Sequence, residues 1–185
     1  MVRAFIAIDI DEKKLVDKIV LLQKRLLESS ANMKLVEPEN IHVTLYFLDD
    51  IPENTIKVAN DIVKRCTSDQ EPFEIYISKL SAFPSIKKPR VIWIGITKNA
   101  DIVTKIANCL KKHLPQAGFR KETKTFHPHI TIARVKRYTS DLKQIMKSLE
   151  DTDIGPFIVK SVKLKKSTLT SRGPIYEDLS IINLG

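Results

Sequence analysis

Along this chain the apolar residues recur at every second position in some stretches and at every third or fourth in others, and each change of period marks an element. Residues 2–9 read as an apolar strand, and Asp11 stands where it can cap a helix whose stripe is Leu15, Ile19, Leu22 and Leu26. A short strand is predicted over 33–36 and a turn at Pro38 and Asn40. Ile41, Val43, Leu45 and Phe47 then alternate with His42, Thr44 and Tyr46, as in a half-buried strand that ends at Asp49 and Asp50. Pro52 and Glu53 open a second helix with Ile56, Ala59, Val63 and Cys66 on one face, and Phe73, Ile75 and Ile77 begin another strand.

The same order then returns. A proline-bounded basic loop, Phe83 to Pro89, leads into a strand over 90–96 and a helix carrying Ile102, Ile106 and Leu110. After a loop with Gly118, His129 and Thr131 alternate with Ile130 and Ile132 in a second half-polar strand. A helix over 140–149 follows, and residues 156–164 and 175–184 read as two final strands separated by Ser171, Arg172, Gly173 and Pro174. The pattern predicts an α+β protein of two pseudo-symmetric lobes, 1–88 and 89–185, with room for the C-terminal strands to cross to the first lobe. Each lobe carries an antiparallel sheet with helices outside, and a central cleft lies between them.

The four-residue pattern His42-Val43-Thr44-Leu45 and its echo His129-Ile130-Thr131-Ile132 are separated by close to half the chain. In a strand, residues i and i+2 share a face, so each His lies beside its own Thr. One such pair is ordinary surface chemistry. Two pairs, using two of the four histidines, point to shared work. Cleaving a phosphodiester requires deprotonating an incoming oxygen and protonating a leaving one, and imidazole, with a pKa near ~6.5, does either at neutral pH. The Thr hydroxyls can donate to non-bridging phosphate oxygens. Neither task needs a metal or a cofactor.

Composition narrows the setting. The 185 residues, 43% hydrophobic, suffice for a folded core, and no apolar run approaches the ~18 residues of a membrane span. With no signal-like N-terminus the expected address is the cytoplasm. Cys66 and Cys109 lie in helical stretches without ligand-like spacing and read as packed thiols, a disulfide or zinc site being the minor alternative. A formal net charge of +9 favours polyanionic partners, though a solvated lysine surface has the same signature.

These residues resemble a known family. Arg3-Ala4-Phe5-Ile6-Ala7-Ile8, the run from Asn40 to Leu48, Phe83-Pro84, Pro89-Arg90-Val91-Ile92-Trp93 and the run from Phe126 to Arg134 are similar to the two-histidine phosphoesterases. Within them the likeness is to the RNA 2',3'-cyclic phosphodiesterases, also called 2'-5' RNA ligases. One departure is Asp49, where the family pattern leads one to expect glycine. The resemblance implies hydrolysis of RNA 2',3'-cyclic phosphate ends to 2'-phosphomonoesters without metal, with 2'-5' ligation as a reverse, secondary activity. It implies His42 as proton donor and His129 as proton acceptor, although the near-symmetric motifs do not by themselves say which is which. RNA ending in a 2',3'-cyclic phosphate is the implied partner, and nothing calls for a membrane or an obligate protein partner; a monomer is expected.

Further residues carry two readings each. Strict alternation turns Arg134 away from the cleft, and it binds phosphate only if the strand ends or twists there. Tyr46 shares the polar face and either stacks on a base or packs at the rim. His127 precedes Pro128 and suits a loop role, and His113 ends a helix. Lys87, Lys88 and Arg90 either guide RNA or are simply solvated. Three rivals stay open. They are a metal site of His42, His127 and His129; a noncatalytic RNA-binding module; and a phosphodiesterase for a small substrate such as ADP-ribose 1'',2''-cyclic phosphate.

Overall fold

A computed structural model of the chain describes residues 1–185. It contains nine strands: β1 (Val2–Asp9), β2 (Asn32–Leu35), β3 (His42–Ile51), β4 (Phe73–Phe83), β5 (Val91–Lys98), β6 (His129–Arg137), β7 (Asp153–Val159), β8 (Ser161–Leu169) and β9 (Pro174–Asn183). The helices are α1 (Lys13–Leu26), α2 (Ile56–Thr67), α3 (Ala100–His113) and α4 (Ser140–Ser148). The strand order is β7-β4-β5-β6-β3-β1-β8-β9, with β2 added beside β6, and the pairings are antiparallel.

Each half of this sheet draws on both halves of the sequence. β4 lies with β5 and β7, on the far side of β6 from β1 and β3, while β8 and β9 lie beside β1. The two groups of strands are continuous through a single pair, Val43 with Ile130, where β3 meets β6.

The expectation of one strand over 156–164 is corrected. β7 ends at Val159 on one margin of the sheet, and β8 begins at Ser161 near the other. Consecutive Cα atoms are only ~3.8 Å apart, so a connection through Lys160 alone requires the sheet to curl until its margins approach. The break was written in the sequence. Phe157 and Val159 are buried on one alternation, Val162 and Leu164 on the opposite one, a slip of one residue at the junction.

The helices cover the convex side in pairs. α1 and α4 pack together, with α1 over β6 and β7, and α2 and α3 pack together over β9 and β3. The stripe Leu15, Ile19, Leu22 and Leu26 is buried as its spacing implies, but Asp11 does not cap α1, which starts at Lys13 after Glu12 with no side-chain cap. One cluster of 43 buried apolar residues runs through both strand groups, so the lobes share a core. The reading of Cys66 and Cys109 as free thiols is also corrected: a disulfide joins them, tying α2 to α3. No helix is long and apolar enough to cross a membrane.

Candidate active site

The single pair Val43–Ile130 places both motifs. Extending its antiparallel register one residue each way sets His42 across from Thr131 and Thr44 across from His129. All four side chains then share one face, with the two histidines as diagonal neighbours whose Cα atoms are ~7–8 Å apart. A pseudo-twofold axis through the central pair exchanges the motifs. Because β3 and β6 are paired nowhere else, they diverge on either side, and the divergence opens the cleft.

Each imidazole is held in the same way. His42 Nδ1 lies 2.6 Å from the Asn40 carbonyl oxygen, and His129 Nδ1 lies 2.6 Å from that of His127, two residues before it in each case. A carbonyl only accepts, so both Nδ1 atoms carry the proton and both Nε2 atoms are free to exchange one. Thr44 Oγ1 lies 2.8 Å from His42 Nε2 and donates to it while the ring is neutral. Aromatic rings fix the orientation. Phe5 and Tyr176 pack on His42 with centroids 5.3 and 5.5 Å away, and Phe83 and Trp93 pack on His129 at 5.1 and 5.9 Å. The His127 ring lies edge-on to Trp93 and Phe83, and the three histidines do not converge as a ligand set. The nearest to such a set is Cys66, Cys109 and His113, away from the cleft between α2 and α3.

Arg134 and Tyr46 exchange the places that strict alternation assigns them. In β6 the register slips so that Ala133 faces Ile92 while Thr131 faces Trp93, leaving Ile132 as an extra residue. Ile132 and Ala133 are both buried, and Arg134 returns to the face of His129 and Thr131. In β3 an equivalent slip makes Leu45 the extra residue, so that Tyr46 is buried, 3% exposed, and Phe47 takes the cleft face near Phe5. The Tyr46 hydroxyl donates to the Arg120 carbonyl at 2.5 Å and accepts from the Glu122 amide. The structure therefore buries Tyr46, predicted to lie on the cleft face, and sets Arg134 on the same face as His42, His129, Thr44 and Thr131.

A support for the β6 bulge comes from Gln23 of α1, 3% exposed, whose Nε2 donates to the Ile132 carbonyl at 2.9 Å and to the Val36 carbonyl at 2.8 Å. Asp49, where glycine was expected, adopts a left-handed φ of 58° and pairs with Arg120. Glycine adopts this conformation most readily, and aspartate is among the other residues that tolerate it.

The two histidines differ electrostatically. Across β1, Asp9 stands opposite His42; across β5, the residue opposite His129 is Gly95, which has no side chain. Asp9 is itself held by Lys165 at 2.7 Å and Lys163 at 2.9 Å, both also bound to Asp178. Burial pushes His42 below its ordinary pKa; its bond to Asn40 and the Asp9 charge oppose that, while Lys165 and His129 add to it. Burial also lowers His129, opposed by the bond to His127 and reinforced by the charges of His127 and Arg134. Sequence reasoning missed Asp9, Gln23 and Tyr176. Asp9 and Phe5 share a parity on β1, but only the register reveals which strand they face.

Residues 15–168 match the family model described as the 2'-5' RNA ligase superfamily. The RNA 2',3'-cyclic phosphodiesterase of Methanothermobacter thermautotrophicus is 36% identical over 185 residues, with 99% of each chain covered. That of Methanocaldococcus jannaschii is 38% identical over 177 residues, covering 95% of this chain and 96% of the relative. Among solved structures, TT0787 of Thermus thermophilus superposes with a TM-score of 0.83 at 24% identity, over 98% of this chain and 97% of that one. Escherichia coli LigT complexed with 3'-AMP gives 0.82 at 21% identity, over 99% and 98%. At such identities the structural likeness speaks of the fold alone.

Proposed function

Because the chain belongs to the 2'-5' RNA ligase superfamily, we propose that it hydrolyses RNA 2',3'-cyclic phosphodiester ends to 2'-phosphomonoesters by paired-histidine acid–base catalysis. The observation that carries this reading is the diagonal placement of His42 and His129 across one backbone pair, each with Nδ1 tied to a carbonyl, with Nε2 of His42 bonded only to the Thr44 hydroxyl of the same face and Nε2 of His129 unpartnered. His129 Nε2 takes a proton from water as the water oxygen bonds to phosphorus. The bond from phosphorus to the 3' oxygen breaks, and His42 Nε2 delivers a proton to that oxygen. Thr44, Thr131 and Arg134 bind the non-bridging oxygens, where charge grows in the transition state.

The assignment of roles rests on Asp9. Burial lowers both imidazoles; at His42 the Asp9 carboxylate opposes that shift while Lys165 adds to it, whereas at His129 no carboxylate opposes it and the Arg134 charge adds to it. The reverse reaction, joining a cyclic phosphate to a 5' hydroxyl, uses the same groups. Both histidines come from one chain, which supports a monomer, and an RNA substrate supports a cytoplasmic address.

The test is His42→Ala and His129→Ala, assayed by product analysis on a short RNA ending in a 2',3'-cyclic phosphate. Each variant is expected to keep its far-UV circular dichroism while losing about 10²-fold or more in kcat. Near-wild-type turnover in both would return the protein to the noncatalytic RNA-binding class.

A further inference from the structure

Alternation and register define the whole concave face, and its charges do not balance. Arg3, Phe5, Ala7 and Asp9 project there from β1, Lys163 and Lys165 from β8, Tyr176 and Asp178 from β9, and Arg134 from β6. Lys163 and Lys165 are neutralised by Asp9 and Asp178. Lys34 of β2 is paired directly with Arg134 of β6 in an unbroken stretch of register, so the two cations point to the same side from adjacent backbones. Like charges directly opposite each other destabilise a sheet pair. Neither residue, nor Arg3, forms a salt bridge in this structure. The Lys34 ammonium extends toward Gly173 in the β8–β9 turn, 3.2 Å from where a Cβ on that glycine would lie, and Arg172 is the neighbouring residue. The charges of Arg134 and Arg3 both reach the Tyr176 hydroxyl, which ties this cationic patch to the ring packed on His42.

An arrangement that sets two unneutralised cations side by side at the end of a catalytic cleft is suited to an anion that bridges them. Resting on the reading above, we propose that Lys34, beside Arg134 and the Arg172 turn, binds the phosphodiester that precedes the terminal cyclic phosphate, making an RNA strand rather than a mononucleotide the preferred substrate class. Arg134 follows His129 and Thr131 along β6, and Lys34 stands directly across from it on β2, so the pair of cations flanks the site of the reacting phosphate. The basic residues Lys87 and Lys88 lie in the β4–β5 loop.

The experiment measures binding of reaction products, so it does not depend on turnover. A pentanucleotide ending in a 2'-phosphate and the corresponding nucleoside 2'-monophosphate are compared on wild type, Lys34→Ala and Lys34→Arg. Wild type is expected to prefer the pentanucleotide. Lys34→Ala should reduce that preference about ten-fold and lower the slope of log affinity against log salt by about one for the pentanucleotide, with Lys34→Arg restoring most of both. Equal affinity of wild type for the two ligands, or equal weakening of both by Lys34→Ala, overturns the proposal. If the pentanucleotide preference depends on Lys34 while no cyclic phosphate is hydrolysed, the subsite stands and the catalytic reading falls.

Discussion

Replacing Gln23 by leucine tests how a helix on the convex side controls the cleft. The side chain is buried, and its amide nitrogen makes two hydrogen bonds, to the carbonyls of Ile132 and Val36 at 2.9 and 2.8 Å. Leucine is similar in volume, so little cavity arises and the loss is that of the bonds. At about 1 kcal/mol net for each, plus part of the desolvation cost of a carbonyl left without its donor, Gln23→Leu should cost about 2–4 kcal/mol. The Ile132 carbonyl keeps the Val36 amide as a partner, which limits the loss. For a chain of this length that corresponds to a Tm about 4–16 °C lower by differential scanning calorimetry. Ile132 is the extra residue of the bulge that returns Arg134 to the cleft, so kcat/KM on a 2',3'-cyclic phosphate end should also fall about ten-fold or more at temperatures where the variant is folded. An unchanged Tm would refute the energetic argument. A lowered Tm with wild-type kcat/KM would show that Gln23 supports the fold without governing Arg134.

Asp9→Asn removes the carboxylate that favours His42 imidazolium, so the limb on which activity falls with rising pH should move to lower pH; an unmoved limb in the kcat/KM profile would contradict the acid role given to His42. Reduction of the Cys66–Cys109 disulfide frees a loop of sequence separation 43, worth up to about 4 kcal/mol on a chain-entropy view. The Tm under reductant should therefore drop by up to about 8–16 °C, with no drop in the Cys66→Ser/Cys109→Ser double variant; equal Tm values with and without reductant would show that the bond contributes nothing.

Local pattern in the sequence determined the elements and the chemistry. The period of two in Ile41 to Phe47 and around His129 marked both site strands, the stripe from Leu15 to Leu26 marked α1, and the doubled His/Thr motif marked the pair of imidazoles. These follow from backbone geometry within one segment. What alternation could not supply was anything that depends on a neighbour. A bulge is an extra residue relative to a partner strand, so the inward turn of Arg134 and the burial of Tyr46 became decidable only once β5 and β1 lay alongside. Asp9 against Gly95, the feature that separates the histidines, is likewise a matter of which residue stands opposite. So are Lys34 beside Arg134 and the meeting of Cys66 with Cys109, for each joins positions far apart in the chain whose adjacency is set by packing and register, not by any property of the residues between them.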